Sequence, residues 1–352
     1  MSDNPRIGLL TPFGPSRTVG GVEVFNQCLR RALRNVEIFA DDHPEARDGF
    51  ADLRRIGLDQ PAGALRAARA FLRRHREEPF DVVLSNGVYG WPLTIARPRV
   101  PMVQVYHFTM KGLARRALSL RGDRFTTGHI SGLFDRISGI GKHIVAVSQP
   151  VLREVEAFYG FKGRLIPNAV DTNAFRPMEA TSARDALGVP PDVPVGLFVG
   201  RADRTKGYDI LLEVAQKLPH VLFLVAGGHP GKIGNVWSLG RVPHDAMPRV
   251  YAASDFFFLP SRYEGFSLSL LEALSCDLPV VLSEPAWPLP EEPLQCGFVV
   301  RGESGRDFAQ AVRLVLAARQ HFSPREFILP RCNFEVFERS WRGFVEALLV
   351  RG

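Results

Sequence analysis

The segment Asp255–Val281, DFFFLPSRYEGFSLSLLEALSCDLPVV, has the pattern of a strand, a loop, a helix and a second strand. The apolar run DFFFLP predicts a buried strand, and Ser267 is a suitable N-cap for a helix over Ser267–Cys276. The run PVVLS then predicts the next strand. Such strand–helix–strand units build parallel sheets that are covered by helices.

Short apolar runs alternate with longer amphipathic segments along the rest of the chain. In the first half the candidate strands are RIGLL, VEIFA, DVVLS, MVQVYH, HIVAVS and RLIP, and the predicted helices are Val22–Arg34, Ala62–Arg76, Lys111–Leu120 and Pro150–Tyr159. In the second half the strands are VGLFVG, VLFLVAG, VWSLG, DFFFLP and PVVLS, and the helices are Tyr208–Lys217, His244–Ala253, Ser267–Cys276, Gly305–Arg319 and Phe334–Val350. The pattern predicts an α/β protein.

A stretch rich in proline and small residues separates the two series of strands and helices. It runs PNAVDTNAFRPMEATSARDALGVPPDVPV, and we place a domain boundary within residues 168–192. A chain of 352 residues is long for one core and suits two domains. We therefore predict two doubly wound domains that face each other across a cleft, with ligands beyond the carboxyl ends of the strands.

Composition and cysteine usage indicate a globular protein of the cytoplasm. The chain is 45% hydrophobic and 23% charged, and no apolar run has the length of a membrane span. The start, MSDNPRIGLL, has no basic head or long apolar segment, so a secretion signal is not expected. Four cysteines at positions 28, 276, 296 and 332 lack paired spacing, which favours reduced thiols over disulfides or a zinc site.

The positive charge of the chain lies in its first half. Residues 1–170 contain 25 Lys and Arg against 16 Asp and Glu, a net charge of +9. Residues 171–352 contain 19 against 21, a net charge of −2. The first half is therefore expected to meet an anionic surface or partner.

Two cations follow the strand VGLFVG. The strand ends at Gly200, and the next residues, RADRTKGYDILL, supply Arg201 and Lys206 just before the helix that starts near Tyr208. Cations at the carboxyl end of a strand, close to a helix N-terminus, form a suitable site for a pyrophosphate. A solvated basic loop is the alternative.

Glu264 and Glu272 flank the start of the helix in the opening segment. The first amides of this helix, at Ser267 and Leu268, would point toward an anion, and Gly265 lets the backbone approach a ligand. A carboxylate would repel a phosphate, so we interpret the two glutamates as acceptors of hydrogen bonds from sugar hydroxyls. The alternative for Glu264 is a solvated carboxylate at the positive end of the helix.

Several segments of the chain together resemble a known family. The matching segments are TVGGVEVFNQCLRRAL, QVYHF, HIVAVSQPVLREVEAFYGFKGRLIPNAVDTNAF, FVGRADRTKGYDILL and LGRVPHDAMPRVYAASDFFFLPSRYEGFSLSLLEALSCDLPVV, which cover most of residues 6–283. They are similar to the retaining glycosyltransferases of the GT-B fold in family 4, and the last contains the family's glutamate-x7-glutamate signature. The resemblance implies an acceptor-binding Rossmann-like domain over 1–170, a donor-binding one over 171–332, and a C-terminal helix, about 333–352, that packs back on the first.

The resemblance also assigns roles to individual residues. It implies that Arg201 and Lys206 clamp the donor diphosphate, that Glu264 holds the donor sugar and that Glu272 binds the ribose hydroxyls. His107 would face and position the transferred sugar. The remaining implied donor contacts are Gly20 and Gly21 over the diphosphate, Gly265, Phe266, Ser267 and Leu268 along the sugar and phosphates, and Arg241 and Val242 near the nucleobase.

The implied activity moves a hexose-type sugar from a UDP- or GDP-linked donor to a hydroxyl of a glycan, lipid-linked or small-molecule acceptor, in bacterial glycoconjugate biosynthesis. The donor is a co-substrate, and no further cofactor is expected. No metal is expected either, because two side-chain cations take its place and the sequence has no Asp-x-Asp pair or His/Cys cluster. A front-side route, in which the leaving phosphate takes the acceptor's proton, fits the resemblance.

The chain departs from the family pattern at several points. Ala169 and Asp277 stand where relatives often have glycine, and EPAWPLPEEPLQCGFVV is unusual. Family members usually carry a helix between the strands that correspond to VLFLVAG and VWSLG, but here only GHPGKIG intervenes. The nucleobase pocket, and with it the donor base, is therefore left open.

Two arginine-rich stretches account for much of the first half's charge. One is GALRAARAFLRRHREE, and the other is MKGLARRALSLRGDRF, which mixes leucines with Lys111, Arg115, Arg116, Arg121 and Arg124. The second pattern is typical of a helix that lies on an anionic membrane surface. An anionic soluble acceptor or a solvated helix face would explain the same charge.

Alternative functions make different demands on the sequence. A nicotinamide-dependent oxidoreductase needs G-x-G-x-x-G after the first strand, but the loop is TPFGPSRTVGGVE. A non-catalytic anion- or nucleic-acid-binding protein leaves the glutamates, Arg201 and Lys206 without a role, so no nucleic acid partner is expected. A sugar-nucleotide epimerase or a phosphorylase of the same fold stays open.

Overall fold

Each half of the chain forms its own parallel sheet in the computed structural model. The structure describes residues 4–12, 14, 20–41, 59–290 and 294–351. The chain divides into two units, of which the first contains the described residues of Met1–Asn168 and Phe337–Gly352. The second unit is Ala169–Val336.

The first sheet contains the six strands predicted for the first half. Its order is β2-β1-β3-β4-β5-β6, and all neighbours run parallel. The strands are β1 (Ile7–Leu10), β2 (Val36–Phe39), β3 (Val82–Asn86), β4 (Met102–Tyr106), β5 (His143–Ala146) and β6 (Arg164–Leu165). Most positions of β1, β3 and β4 are buried, as the near-continuous apolar runs predict for strands covered on both faces.

Seven α-helices lie wholly in the described part of the first unit, and α14 (Phe334–Arg351) belongs to it from Phe337 onward. The seven are α1 (Gly21–Leu33), α2 (Asp59–Glu77), α3 (Trp91–Ala96), α4 (Met110–Arg116), α5 (Arg121–Phe125), α6 (Gly132–Gly139) and α7 (Gln149–Tyr159). The helix predicted over Lys111–Leu120 ends early, at Arg116, and a π-helical turn, Thr126–Ser131, joins α5 to α6. Helices α3, α5 and α6 were not predicted, because these short segments show no sustained amphipathic period.

The second sheet has the order β12-β11-β10-β7-β8-β9. Its strands are β7 (Val195–Val199), β8 (Leu222–Ile233), β9 (Val236–Gly240), β10 (Phe256–Leu259), β11 (Val280–Ser283) and β12 (Gly297–Val300). Five of them were predicted, and β12 was missed within the unusual segment that ends in GFVV. The helices are α8 (Ala180–Leu187), α9 (Tyr208–Lys217), α10 (Met247–Ala252), α11 (Leu268–Ser275), α12 (Gly305–Ala318) and α13 (Pro324–Cys332).

The second unit departs from the prediction in its linker segment and at the start of one predicted helix. The segment predicted as a linker contains α8, whose N-cap Glu179 accepts hydrogen bonds from the first-turn amides. Helix α10 begins at Met247 and not at His244. His244 therefore lies on the loop that follows β9.

The link between β8 and β9 explains the missing helix. Phe223–Val225 of β8 pair parallel with Val236–Ser238 of β9, yet the far end of β8 pairs with the same residues in the opposite sense, Gly231 with Ser238 and Ile233 with Val236. The chain thus folds back over the outer edge of β9, where the Lys232 ammonium lies 3.4 Å from the centre of the Trp237 ring. This turn covers an edge that would otherwise expose unpaired backbone groups.

Helix α14 packs on the first unit through one large side chain. Trp341 is fully buried, and its ring contacts Phe25 of α1 as well as Phe337 and Phe344 of its own helix. Arg342 Nε also donates to the carbonyl oxygen of Ala32, at 2.9 Å. The indole nitrogen of Trp341 is buried and has no hydrogen-bond partner among the described residues, so this side chain acts through its apolar area.

Replacing Trp341 by alanine should lower the free energy of unfolding by about 3–5 kcal/mol, because the substitution leaves a large cavity. Trp341→Phe should cost much less, since no hydrogen bond of the indole is lost. Urea unfolding followed by circular dichroism measures both changes, with Leu314→Ala, at a half-exposed position, as the control. Equal losses for the alanine and phenylalanine variants would contradict this packing.

Candidate functional site

The strand order of the second sheet locates a candidate binding site. The chain moves from β7 outward through β8 and β9, then returns to the other side of β7 with β10 and moves outward through β11 and β12. The neighbours β7 and β10 therefore form the topological switch point. In open α/β sheets, ligands bind beyond the carboxyl ends of the strands at this point.

An ion pair joins the two loops at the switch point. Lys206, on the loop after β7, places its ammonium 2.6 Å from a carboxylate oxygen of Glu264, on the loop after β10. The Lys206 side chain is 23% exposed and that of Glu264 is 10% exposed. The structure thus brings together a cation and an acid that the sequence analysis assigned to different parts of one ligand.

Backbone contacts hold these two loops against each other. Gly207 has a left-handed φ of 73°, and a Cβ atom at this position would overlap the carbonyl oxygen of Pro260. The amide of Arg262 donates to the carbonyl oxygen of Thr205, at 2.9 Å. Glycine is therefore required at position 207, where the loop after β7 turns into α9 beside the end of β10.

Arg262 also connects the loops through hydrogen bonds, and it was not among the predicted site residues. Its side chain is 5% exposed, and it donates to Asp209 of α9 at 2.7 Å and to Glu303, which follows β12, at 2.7 Å. Partial burial alone would raise the pKa of Asp209, but the hydrogen bonds and charge of Arg262 lower it. Arg262 lies two residues before Glu264, so this network fixes the loop that carries the acid.

The N-terminus of α11 faces the same edge of the sheet. Ser267 is its N-cap, as predicted, and its hydroxyl accepts from the Leu270 amide at 3.4 Å. Gly265 and Phe266 lead into this cap, and the first-turn amides of an α-helix have no partner within the helix. A helix start of this kind attracts an anion.

Arg201 occupies the outer part of the site. Its side chain is 74% exposed, and Nε lies 3.1 Å from the carboxylate of Asp203. Asp203 also accepts from the backbone amide of Lys206, at 3.0 Å. The exposed guanidinium stands on the same loop as Lys206 and is open to solvent.

Glu272 is buried and is held from two sides. One carboxylate oxygen lies 2.9 Å from His244 Nε2, and the other accepts from the Tyr251 hydroxyl at 2.7 Å. Burial raises the pKa of Tyr251 well above its usual value, and the Glu272 charge raises it further. The hydrogen bond that His244 donates to Glu272 raises the pKa of His244.

His244 was not among the predicted site residues. It follows Arg241 and Val242 on the loop after β9, where the nucleobase was expected, and Val242 is partly buried while Arg241 is exposed. His244 was predicted to start a helix, and only its position beside the predicted base contacts could have identified it as a site residue.

In the first unit, Gly20 and Gly21 lie at the start of α1. Gly20 is the N-cap in an extended conformation, and Gly21 is the first helical residue. Thr18 and Val19, which complete the predicted TVGG motif, lie outside the described residues. Glu23 in the first helical turn is buried, which raises the pKa of its carboxyl.

His107 lies at the end of β4 in a polar network. Its Nε2 is 3.1 Å from Asn86 Oδ1, and Asn86 donates to Asn26 and to Thr11. Because the Asn86 amide nitrogen is used in these bonds, its oxygen accepts from His107 Nε2–H. Burial lowers the pKa of His107 to about 4, so the ring is neutral near pH 7 and its Nδ1 can accept a hydrogen bond.

The five cations predicted to meet an anionic surface or acceptor divide into two groups. Three have partners within the first unit: Lys111 beside the Tyr159 ring, Arg115 over the Phe158 ring, and Arg116, 3.7 Å from Glu154. Arg121 and Arg124 are exposed on α5. The described residues contain no group of three or more His, Cys, Asp and Glu that could hold a metal ion.

Comparison with protein-family models identifies both halves of the chain. Residues 19–174 match the model described as Glycosyltransferase Family 4. Residues 193–318 match the model described as Glycosyl transferases group 1. Together these segments span about four fifths of the 352 residues. The chain belongs to glycosyltransferase family 4.

Known proteins similar to this family 4 chain agree with the assignment. D-inositol 3-phosphate glycosyltransferase of Mycobacterium tuberculosis (strain ATCC 25618 / H37Rv) is 29% identical over 317 residues, which are 82% of this chain. The match spans 64% of that relative's length.

Two solved structures share the fold. Sucrose-phosphate synthase (tll1590) from Thermosynechococcus elongatus has a TM-score of 0.85, with 19% identity and coverage of 99% of this chain and 100% of its own. Anabaena Alr3699/HepE in complex with UDP-glucose has a TM-score of 0.73, with 19% identity and coverage of 98% and 100%. The predicted α/β class, with two doubly wound domains of the GT-B type, is confirmed.

The His244–Glu272 pair should make the stability of this family 4 protein depend on pH. The folded pKa of His244 is raised above its usual 6.5, so its contribution is fully present below pH 6.5 and is lost as the pH rises through the folded value. His244→Asn keeps a donor that does not titrate. The melting temperature of the wild type relative to this variant should therefore fall from pH 6 to pH 9, and a constant difference would contradict the pairing.

Proposed function

We propose that this protein transfers a hexose-type sugar from a nucleoside diphosphate donor to a hydroxyl group of an acceptor, with retention at the anomeric carbon. The observation that carries the proposal is the Lys206–Glu264 pair at the switch point of the second sheet, beside the N-terminus of α11. A cation and helix amides suit a diphosphate, whereas a carboxylate suits sugar hydroxyls. One site thus offers both chemistries next to each other.

The ion pair is a resting arrangement that the donor replaces. When a diphosphate approaches, Lys206 turns from Glu264 to the phosphate oxygens, and the exposed Arg201 joins it. Glu264 then accepts hydrogen bonds from the sugar. The site is neutral on balance before the donor arrives, so neither charge is left buried without a partner.

In the transfer step the bond between the anomeric carbon and the phosphate oxygen breaks, and the nucleoside diphosphate leaves with the electron pair. The acceptor oxygen forms the new bond on the same face, and its proton passes to the leaving phosphate oxygen. Lys206, Arg201 and the amides of α11 stabilise the leaving charge, and deleting one such donor commonly costs about 3–4 kcal/mol. Neutral His107 in the first unit is proposed to position the sugar through its ring nitrogen.

One of the similar structures supports a nucleotide sugar as donor, because the Anabaena protein was solved in complex with UDP-glucose. The mycobacterial relative is named a D-inositol 3-phosphate glycosyltransferase. We propose a UDP- or GDP-linked donor and leave the acceptor as a glycan, lipid-linked or small-molecule hydroxyl. Side-chain cations and helix amides balance the charge of the donor in this proposal, so no metal or other cofactor is included.

Replacing Lys206 or Glu264 by alanine should reduce turnover by about 10²–10³-fold at saturating acceptor, because each variant removes a group that acts on the donor. The measurement is release of nucleoside diphosphate from a nucleotide sugar. Lys217→Ala, at an exposed position at the end of α9, is the matched control and should leave turnover unchanged. Near-normal turnover in the Lys206 and Glu264 variants would refute the donor site.

Product analysis separates this function from the two alternatives of the same fold. An epimerase converts the nucleotide sugar without any acceptor, and a phosphorylase depends on inorganic phosphate. The proposed enzyme should do neither, and proton NMR of its product should show the anomeric configuration of the donor.

We also propose that the first unit binds the surface of an anionic membrane, at the inner face of the cell membrane. The described residues include eleven exposed large hydrophobic side chains, and six of them lie within residues 108–140. Leu120 is 66% exposed and Phe125 is 61% exposed, and they flank the exposed Arg121 and Arg124 on and beside α5. Apolar side chains next to arginine suit a bilayer with acidic head groups.

Three of the five cations have contacts within the first unit, and Phe125, Ile130 and Leu133 add exposed apolar area to that of Leu120. None of the described helices is both long and apolar enough to cross a bilayer. Contact through this surface is therefore proposed as peripheral.

Flotation with vesicles tests the membrane proposal. Binding should require phosphatidylglycerol in addition to phosphatidylcholine, and it should weaken at high salt. Leu120→Ser combined with Phe125→Ser should abolish flotation, whereas Ile233→Ser, an equally exposed position in the second unit, should not. Flotation that is unaffected by the double substitution would contradict the proposal, and absence of flotation at any salt concentration would favour an anionic soluble acceptor.

A further inference from the structure

Glu272 is fixed in position before any ligand binds. Its side chain is 9% exposed, and the residues that hold it come from two different elements. His244 reaches one oxygen from the loop after β9, and Tyr251 reaches the other from α10. A lone glutamate on a helix would rotate among several side-chain conformers, but these two bonds restrict the carboxylate to one orientation.

The partners of Glu272 are themselves restrained. The Tyr251 hydroxyl also lies 3.1 Å from the carbonyl oxygen of Ser269, so its one proton is shared between Glu272 and this weaker contact. The Phe175 ring lies 5.1 Å from that of His244 and 5.8 Å from that of Tyr251. Phe175 is tied to α11, because its carbonyl oxygen accepts from the Ser275 hydroxyl at 2.6 Å.

The arrangement leaves room for two more hydrogen bonds. A carboxylate has about four acceptor positions, and His244 and Tyr251 each use one, on different oxygens. One position remains on each oxygen. Two neighbouring hydroxyl groups, such as those of a ribose, could use both at once, whereas a single hydroxyl could use only one.

We propose that His244 and Tyr251 are positioning residues that orient Glu272 toward the 2′- and 3′-hydroxyls of a nucleoside diphosphate, and that they set a preference for ribonucleotides over 2′-deoxyribonucleotides. The inference rests on the proposed function, because it requires a nucleotide at this site. The inference goes further in one respect: the preference for ribose over deoxyribose depends on His244 and Tyr251, which hold Glu272 in place. His244 acts through Glu272 and does not touch the reacting atoms.

The charges around His244 favour its protonated form. Glu272 faces it from α11 and Asp245 follows it on the same loop, and both raise its pKa, whereas burial lowers it. Two further groups surround this cluster: burial and the Glu272 charge raise the pKa of Cys276, and Arg325 donates to the carbonyl oxygen of Phe175. Neutral His244 can still donate from Nε2–H, so the orientation of Glu272 should weaken, and not vanish, at high pH.

The test compares matched pairs of nucleotides by calorimetry. UDP and 2′-deoxyuridine diphosphate differ only in the 2′-hydroxyl, as do GDP and its deoxy form. Either UDP or GDP will bind the wild type more tightly. The 2′-deoxy form of that nucleotide should bind about 10–100-fold more weakly than the nucleotide itself, as expected for one lost hydrogen bond to a charged group. His244→Ala and Tyr251→Phe should reduce this ratio to a few-fold.

Conservative variants separate positioning from folding. His244→Asn should keep most of the ribose preference but lose its dependence on pH, because asparagine donates without titrating. His220→Asn and Tyr208→Phe are controls of the same residue types elsewhere in the second unit, and they should keep the wild-type ratio. Melting curves of all variants exclude those that do not fold.

Each outcome has a distinct meaning. Equal binding of UDP and its deoxy form by the wild type, with binding itself intact, would overturn the inference and leave the proposed function standing. Full ribose preference in His244→Ala and Tyr251→Phe would also overturn it. If neither UDP nor GDP binds, the proposed function fails together with this inference.

Discussion

The 2.6 Å ion pair between Lys206 and Glu264 depends on a constraint of topology. The two residues are 58 positions apart, yet they meet because β7 and β10 are neighbours and both end at the same edge of the sheet. Parallel strands always bring their carboxyl ends together, so the loops after them share one surface. Every further feature of the candidate donor site adds to this surface, including the start of α11 and the Arg262 network.

The arrangement balances two requirements that conflict. A site for a nucleotide sugar needs positive charge for the diphosphate and negative charge for the sugar hydroxyls, yet neither should be buried alone. In the unliganded protein Lys206 and Glu264 satisfy each other, while Glu272 is satisfied by His244 and Tyr251. When the donor binds, its hydrogen bonds replace those between the protein groups. Because these groups are already ordered, binding costs less conformational entropy.

Most strands and several residues of the candidate donor site were predictable from sequence, because short local patterns indicate them. Buried parallel strands appear as continuous apolar runs, and eleven of the twelve strands in the described residues were predicted from them. Ser267 and Lys206 were placed correctly by their distance from strand ends. The resemblance to family 4 supplied the roles of Glu264 and Glu272, and the family is confirmed. The individual roles of these residues stay predictions.

What the sequence did not predict depends on contacts between distant segments. Arg262 joins Asp209 and Glu303, and Phe175 packs beside His244 and Tyr251, across separations that no local pattern reports. The strand β8 turns back over β9 where a helix was expected, because four glycines with positive φ allow the reversal in a short span. The exposure of the apolar residues near α5 likewise depends on where α4, α5 and α6 begin and end, which the sequence does not indicate.

A crystal structure with bound UDP or GDP tests the central claim most directly. The account predicts that the diphosphate lies against Lys206 and the first amides of α11, with the Lys206–Glu264 pair opened. Phosphates bound elsewhere, with that ion pair still closed, would contradict it.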